Sequence, residues 1–394
     1  MPSIPSEEIH RRITALQKAM AANGFDGALI VQRVDLYYFS GTGQDAHLFV
    51  PTVGKPKLMV RKSFERATEE STLDQIIPIN GFSGLKKAVE EVHGPLKCLG
   101  MELDVLPVNL FRIYEQLFAD TEIKDCSVLI KEVRMVKSSY ELDLMRRAAC
   151  LNDAMFAQVR QILREGLTEA EFAGQVEAFY RKHGHQGLVR IRTFNHEIFY
   201  GHIMSGTNLA VPSASVGPTG GPGLNPSFPS GGGLKVIKRH EPVSVDYVAV
   251  IEGYLADVTR LFFIGEPPEK FVKIHAVALS IQQAIVSAGV PGTATEALYD
   301  IAVRIAQDAG LEEGFMGYPQ PVPFVGHGIG LELDELPLLG KKSPHILQEG
   351  MVVAVEPKFI IPAQGMAGVE NSFVVTPKGL EKLSLFDDEI QVLP

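Results

Sequence analysis

The sequence predicts an α/β N-terminal domain followed by a larger α+β domain. Three observations carry that expectation. Strand and helix patterns alternate through the first third of the chain. Three helix-start signals punctuate strand-rich stretches in the remainder. Acidic residues recur on two otherwise apolar hairpins late in the sequence. At 394 residues the chain is long enough for about two domains with well-buried cores. The boundaries read from these patterns are 1–132 and 133–394.

Taken in order, residues 6–24 predict an amphipathic helix with Ile9, Ile13, Leu16 and Met20 on one stripe. The apolar run "GALIV" predicts a short strand, followed by "DLYYFSGTG", and alternation continues to about "CSVLIKEVRMVKS". Three pairs have the spacing of a capping box, a hydroxyl residue with a glutamate three positions on: Ser138 with Glu141, Thr168 with Glu171, and Thr293 with Glu296. The helices they open run to about residues 164, 184 and 309, and a further helix covers about 268–288. Residues 217–233, "GPTGGPGLNPSFPSGGG", have neither P-loop nor dinucleotide-fingerprint spacing, so they read as a mobile loop or lid.

Composition narrows the function. Apolar residues make up 45% and charged residues 21%, as in ordinary globular proteins. A net charge of -10 with no offsetting basic run argues against nucleic acid as a partner. Cys98, Cys126 and Cys150 have no metal-type spacing and leave an odd count for disulfides, which fits reduced thiols in a cytoplasm. The N-terminus lacks a basic-then-apolar signal pattern, and no uninterrupted apolar run looks long enough to span a bilayer. The expectation is a soluble, cytoplasmic protein with no membrane partner.

The acids point to chemistry. "VSVDYVAVIEGYLADVTRLF" reads as a hairpin turning at Glu252 and Gly253. That register places Val248 opposite Asp257 and Asp246 opposite Thr259, with all four on one face. The two aspartates become diagonal neighbours, roughly 7–8 Å apart at the backbone. Two carboxylates on an apolar face repel and lose hydration, and a cation between them resolves both problems. The design recurs at "VVAVEPKFIIPAQGMAGVENSFVV", where an apolar strand delivers Glu356 and Glu370 follows after a turn. His327, flanked by glycines in "GHGIGLELDELP", reads as a metal ligand or a catalytic base. Asp246, Asp257, His327, Glu356 and Glu370 together suit a pair of divalent ions better than a single zinc. Their oxygen-rich donor set favours manganese, iron, cobalt or zinc.

These segments, with "GMVVAVEPKF" and "GVENSFVVTPKG", resemble the pita-bread metallopeptidases, a family that includes aminopeptidase P, prolidase, methionine aminopeptidase and creatinase. The N-terminal part, with "DLYYFSGTG", resembles the creatinase-type N-terminal domain, so the likeness spans nearly the whole chain. The resemblance implies a pita-bread C-terminal catalytic domain. It implies that Asp257 and Glu370 bridge two metals, that Asp246 holds one, and that His327 and Glu356 complete the other. In peptide-cleaving members Glu356 matches the glutamate that shuttles a proton to the leaving nitrogen. The resemblance also suggests a homodimer.

Three positions depart from that pattern. Asp334 stands seven residues after His327, where the family has a second histidine that donates to the substrate carbonyl; an ionised aspartate only accepts. Ser213, in "GTNLAVPSAS", takes the place of another histidine, and Gly368 that of an arginine in many proline-specific members. His202, in "FYGHIMSG", is the nearest replacement donor in sequence, and Asp334 suits a cationic substrate group. The expected function is a dinuclear metal-dependent hydrolase of short peptides, of Xaa-Pro dipeptidase or aminopeptidase type, with Glu356, Asp334 and His202 as catalytic residues. The alternatives are a different reaction of a small molecule at the same site (creatinase-like C–N hydrolysis or a lyase reaction) and a non-catalytic binding homologue.

Overall fold

The Ile9, Ile13, Leu16 and Met20 stripe is buried on a helix that runs Ser6–Ala22. In this computed structural model, which describes residues 4–214 and 217–394, the chain divides into the units Met1–Arg134 and Met135–Pro394. The first unit is built on a six-stranded mixed sheet. Its spatial order is Ile76–Pro78, Lys57–Val60, Ala46–Pro51, Gly27–Ile30, Cys98–Met101 and Glu122–Asp125. "DLYYFS" belongs to the helix Arg33–Ser40, whose first turn is capped by the Gln32 side chain accepting from the N–H groups of Val34 and Asp35. Leu29, Phe49, Met59, Leu99 and Phe118 form part of this unit's core.

The second unit holds a five-stranded sheet, a four-stranded sheet and a two-stranded ribbon. The five-stranded order is Glu335–Gly340, Phe324–Gly328, Val352–Val355, Asn371–Thr376 and Gly379–Lys382. The four-stranded order is Gln391–Leu393, Tyr254–Ile264, Val243–Ile251 and Gly201–Ser205, and the ribbon pairs Lys358–Ile361 with Gly365–Gly368. Leu261, Phe263, Val325, Val353 and Phe373 from these strands share a core with Ile274, Ile281 and Leu298 from the flanking helices.

Two of the three capping boxes form. Ser138 caps Ser139–Ile162 with Glu141, and Thr168 caps Glu169–Lys182 with Glu171, each by reciprocal side-chain bonds. The third does not. The helix Thr295–Asp308 starts after Ala294 with no side-chain cap, because other partners claim both residues of the motif. Thr293 donates its hydroxyl to Ala288 O at 2.9 Å, and Glu296 accepts from Lys342 N at 2.7 Å.

The helix Glu269–Ala288 corrects the expectation that no segment has the length and apolarity to cross a bilayer, since by those two measures it does. Its tertiary setting is that of a core helix. Phe271, Ile274, Ala278, Ile281 and Ile285 enter the core. On the same buried face His275 Nε2 bonds to Asp388 O, and Gln282 accepts from Asn371 Nδ2.

Candidate metal centre

The hairpin Val243–Ile251/Tyr254–Ile264 has the register expected from its turn. Ile251 pairs with Tyr254, Val248 with Asp257 and Asp246 with Thr259. Glu252 and Gly253 both have positive φ, 50° and 89°, the conformation of a two-residue turn that matches strand twist. Asp246 and Asp257 therefore point to one side, and both are buried.

Glu370 reaches the same place by a bridge between sheets. Thr259 and Glu370 exchange backbone hydrogen bonds at 3.3 Å, and Thr259 Oγ1 donates to Glu370 Oε2 at 2.8 Å. Behind this bridge lies Arg260, fully buried, which donates to the carbonyls of Thr259 and Glu370 and to Asn371 Oδ1, and pairs with Asp388 at 2.8 Å. Asp257 is fixed through its backbone, its N–H donating to Ser372 Oγ at 3.0 Å.

His327 lies on Phe324–Gly328, opposite Ala354. The flanking glycines are a packing requirement: a Cβ on Gly328 would sit 2.1 Å from Leu336 O. The ring has two distinct sides. Nδ1 contacts Gly328 O at 3.1 Å and the Asp334 carboxylate at 3.3 Å, while Nε2 lies 3.9 Å from both Glu356 Oε1 and Glu370 Oε1. A carboxylate behind a histidine that faces acids is the arrangement by which proteins fix the orientation and basicity of a metal-binding imidazole.

A residue the sequence reading did not single out occupies the other side. Lys358 Nζ donates to Asp246 Oδ2 at 2.9 Å, Glu356 Oε2 at 2.9 Å and Glu370 Oε2 at 2.7 Å. Its side chain is only 2% exposed. Each glutamate thus turns one oxygen toward His327 and the other toward the ammonium. The signal was available in sequence. Lys358 is two residues from Glu356 and interrupts the apolar run "VVAVEPKFII", and lysine is almost never buried unless paired.

Charge states follow from this crowding. Burial pushes the Lys358 ammonium toward deprotonation, but Asp246, Glu356 and Glu370 together outweigh that and raise its pKa well above the ordinary lysine value. Burial raises Asp257, and the charges of Glu370 and Asp246 raise it further; among the described residues its buried Oδ1 has no hydrogen-bond partner. Glu356 is pushed up to about 7 by burial and by Glu370, against the pull of Lys358 and His327. Burial also acts to raise Asp246, but Lys358 and His202 hold it below the usual carboxylate value. For His327 burial opposes protonation, yet Asp334, Glu356 and Glu370 prevail and raise its pKa.

These groups open on a cavity of about 410 Å³, within the range of small-ligand sites. His202, Ser213 and Asp334 line it, with Ile191, Phe199, Phe228 and Leu333 as apolar wall. His202 lies opposite Asp246 in the sheet; its Nε2 is 3.2 Å from Thr219 Oγ1 and 3.6 Å from Asp246 Oδ2. The Ser213 hydroxyl donates to Pro229 O. The loop 217–233, read from sequence as a mobile loop or lid, is tied down as a wall of this cavity. Gly221 N bonds to Val211 O at 2.8 Å, Gly231 N to Gly220 O at 2.8 Å, and Gly233 N to the buried Glu169 carboxylate at 2.8 Å.

Residues 143–377, more than half of the chain, match the model of metallopeptidase family M24. The chain belongs to that family. Residues 12–136 match the creatinase/prolidase N-terminal domain, so this M24 protein carries the creatinase-type N-terminal unit and the pita-bread catalytic unit. It is 28% identical to the Xaa-Pro dipeptidase of Pyrococcus furiosus, over 96% of this chain and 99% of that one. Among solved structures it resembles the Xaa-Pro dipeptidase from Bacillus anthracis, with a TM-score of 0.84 and 25% identity over 98% and 100% of the two chains. It also resembles the prolidase from Pyrococcus horikoshii, with a TM-score of 0.80 and 25% identity over 96% and 99%.

Membership in M24 implies divalent metal ions, and the side chains present include a group able to hold metal. Two ligand atoms on a single ion at roughly 2.1 Å lie no more than about 4.2 Å apart. The 3.9 Å separations from His327 Nε2 to the two glutamate oxygens meet that limit. Ligand atoms of Asp257, His327 and Glu370 all fall within 4.8 Å of one another, and the unpartnered Asp257 Oδ1 belongs to this group of side chains. Asp246, Glu356 and Glu370 also share the Lys358 ammonium.

Proposed function

We propose that this M24 enzyme hydrolyses short peptides of the Xaa-Pro type, as a dipeptidase or aminopeptidase. One observation carries the reading: an acidic metal seat opens directly on an apolar-walled cavity large enough for a small peptide. The full-length likeness to Xaa-Pro dipeptidases supports the substrate class. Asp257, His327 and Glu370 would hold the ion, with Glu356 Oε1 completing the set. When bound, such an ion supplies electrophilic polarisation of a carbonyl and activation of water.

The chain's own residues divide the remaining work. Glu356 lines the cavity and stands where the resemblance places the glutamate that accepts a proton and returns it to a leaving nitrogen. Asp334 orients His327 through Nδ1. It does not replace the donor that a histidine would provide. His202 is the imidazole at the cavity edge, and burial lowers its pKa, so it is neutral at pH 7 and can donate one N–H. Phe199 and Phe228, with ring centroids 5.3 Å apart, offer an apolar surface to a proline ring. The unpaired thiols and the core role of Glu269–Ala288 support a cytoplasmic location.

The test is proline release from a panel of Xaa-Pro dipeptides by protein supplied with manganese, cobalt or zinc, set against matched dipeptides without proline. Metal-dependent release from the Xaa-Pro members, abolished in Asp257→Asn, is the expected result. A metal-loaded protein that releases no proline would overturn the peptide reading in favour of a small-molecule reaction at the same centre.

A further inference from the structure

We propose that Lys358 is a built-in cation that stands in one of the two metal positions, so that this enzyme works with a single divalent ion per chain. The inference rests on the metal-dependent reading above and specifies its centre.

The geometry is that of an occupied seat. Three carboxylate oxygens from three different segments converge on Nζ at 2.7–2.9 Å, one for each ammonium proton. An ion held by the same three oxygens at about 2.1 Å would fall in the volume that Nζ fills, so the two occupants exclude one another. The oxygens that face His327 are the opposite ones on Glu356 and Glu370, and they remain available. Glu370 therefore bridges an ammonium and an ion seat.

Gly368 pairs with Lys358 across the ribbon and leaves room beside its stem, since a Cβ at 368 would lie 2.9 Å from Lys358 Cγ as well as 2.7 Å from its Cα. Of the four carboxylates Asp246, Asp257, Glu356 and Glu370, three already face the ammonium.

The experiment counts metal. Full-length protein prepared without chelators, saturated with manganese and freed of excess ion by gel filtration, is analysed for metal per chain and by electron paramagnetic resonance. Wild type should hold one ion with the six-line spectrum of isolated manganese. Lys358→Gly, which removes both charge and stem, should rise to two ions with an exchange-coupled spectrum. Lys358→Met, which keeps the stem, should not gain a second ion. Two ions or a coupled spectrum in the wild type would overturn the proposal without variants, and so would a folded Lys358→Gly that stays at one. The outcomes separate from those of the preceding section. No ion in the wild type removes the metal-dependent reading itself, whereas one ion without proline release removes only the peptide substrate.

Discussion

Replacing Asp334 by asparagine tests what the acid after "GHGIGLEL" does. Asp334 has φ of 61°, a left-handed conformation that asparagine tolerates better than most residues, so the backbone should be undisturbed. The change removes a negative charge 3.3 Å from His327 Nδ1 while leaving a neutral side chain of nearly the same shape. At an effective dielectric of about 20 that charge pair would be worth up to roughly 5 kcal/mol with an imidazolium. The carboxylate is 27% exposed, and a metal-bound imidazole carries only part of that charge, so water screening and partial charge reduce the figure. Carboxylates behind metal-binding histidines are typically worth ten- to a hundredfold in metal affinity, or about 1.4–2.7 kcal/mol. Titration of zinc or manganese against a competing chelator should therefore show a dissociation constant at least tenfold weaker in Asp334→Asn. A dissociation constant within twofold of wild type would refute the orienting role. If KM for peptides rose while metal affinity held, Asp334 would be a substrate contact, as a cationic substrate would require.

Two further perturbations probe the scaffold. His47 is buried against Tyr114 with its pKa lowered to about 4, first by burial and then by Arg61, so the unfolded chain takes up the proton before the folded one. Its contribution is present above about pH 6.5 and is lost as pH falls toward 4, which amounts to about 2 kcal/mol between pH 7 and pH 5. Urea unfolding of the full chain at those two pH values should show that difference shrink in His47→Leu, and an unchanged pH slope would exclude the mechanism. Glu169 accepts from Ser205 N, Ser205 Oγ, Asn208 Nδ2 and Gly233 N. Glu169→Ala leaves these buried donors unmet, costing about 3 kcal/mol, and it frees the 217–233 wall. A lower thermal midpoint with a raised KM is expected, and unchanged values of both would show that the anchor is dispensable.

What could be read from the sequence was what local geometry dictates. The Asp246/Asp257 face followed from one turn and a period of two, and Ser138 and Thr168 followed from a four-residue motif whose partners are all local. The same kind of motif fails at Thr293 because its hydroxyl turns to the Ala288 carbonyl in the chain just before it, while Lys342, brought close by tertiary folding, claims Glu296. Sequence spacing says where Asp334 stands in a motif, and not that its carboxylate, which lines the cavity, also meets His327. The left-handed backbone at 334 turns it onto the imidazole seven residues earlier.

Lys358 shows the same limit in reverse. Its place in the apolar run "VVAVEPKFII" marks a lysine in need of partners and does not name them. Only the ribbon register, with Gly368 opposite, and the Thr259–Glu370 bridge between sheets bring Asp246, 112 positions away, onto its ammonium. Gly368 and Lys358 then face one another across the ribbon. A donor set can keep every ligand residue in order and still present a different centre, because what sits between the ligands is set by a residue that ligates nothing. Counting carboxylates predicts how much positive charge the site needs. It does not say whether metal or side chain provides it, and at this centre an ammonium on three of the oxygens supplies part of the answer.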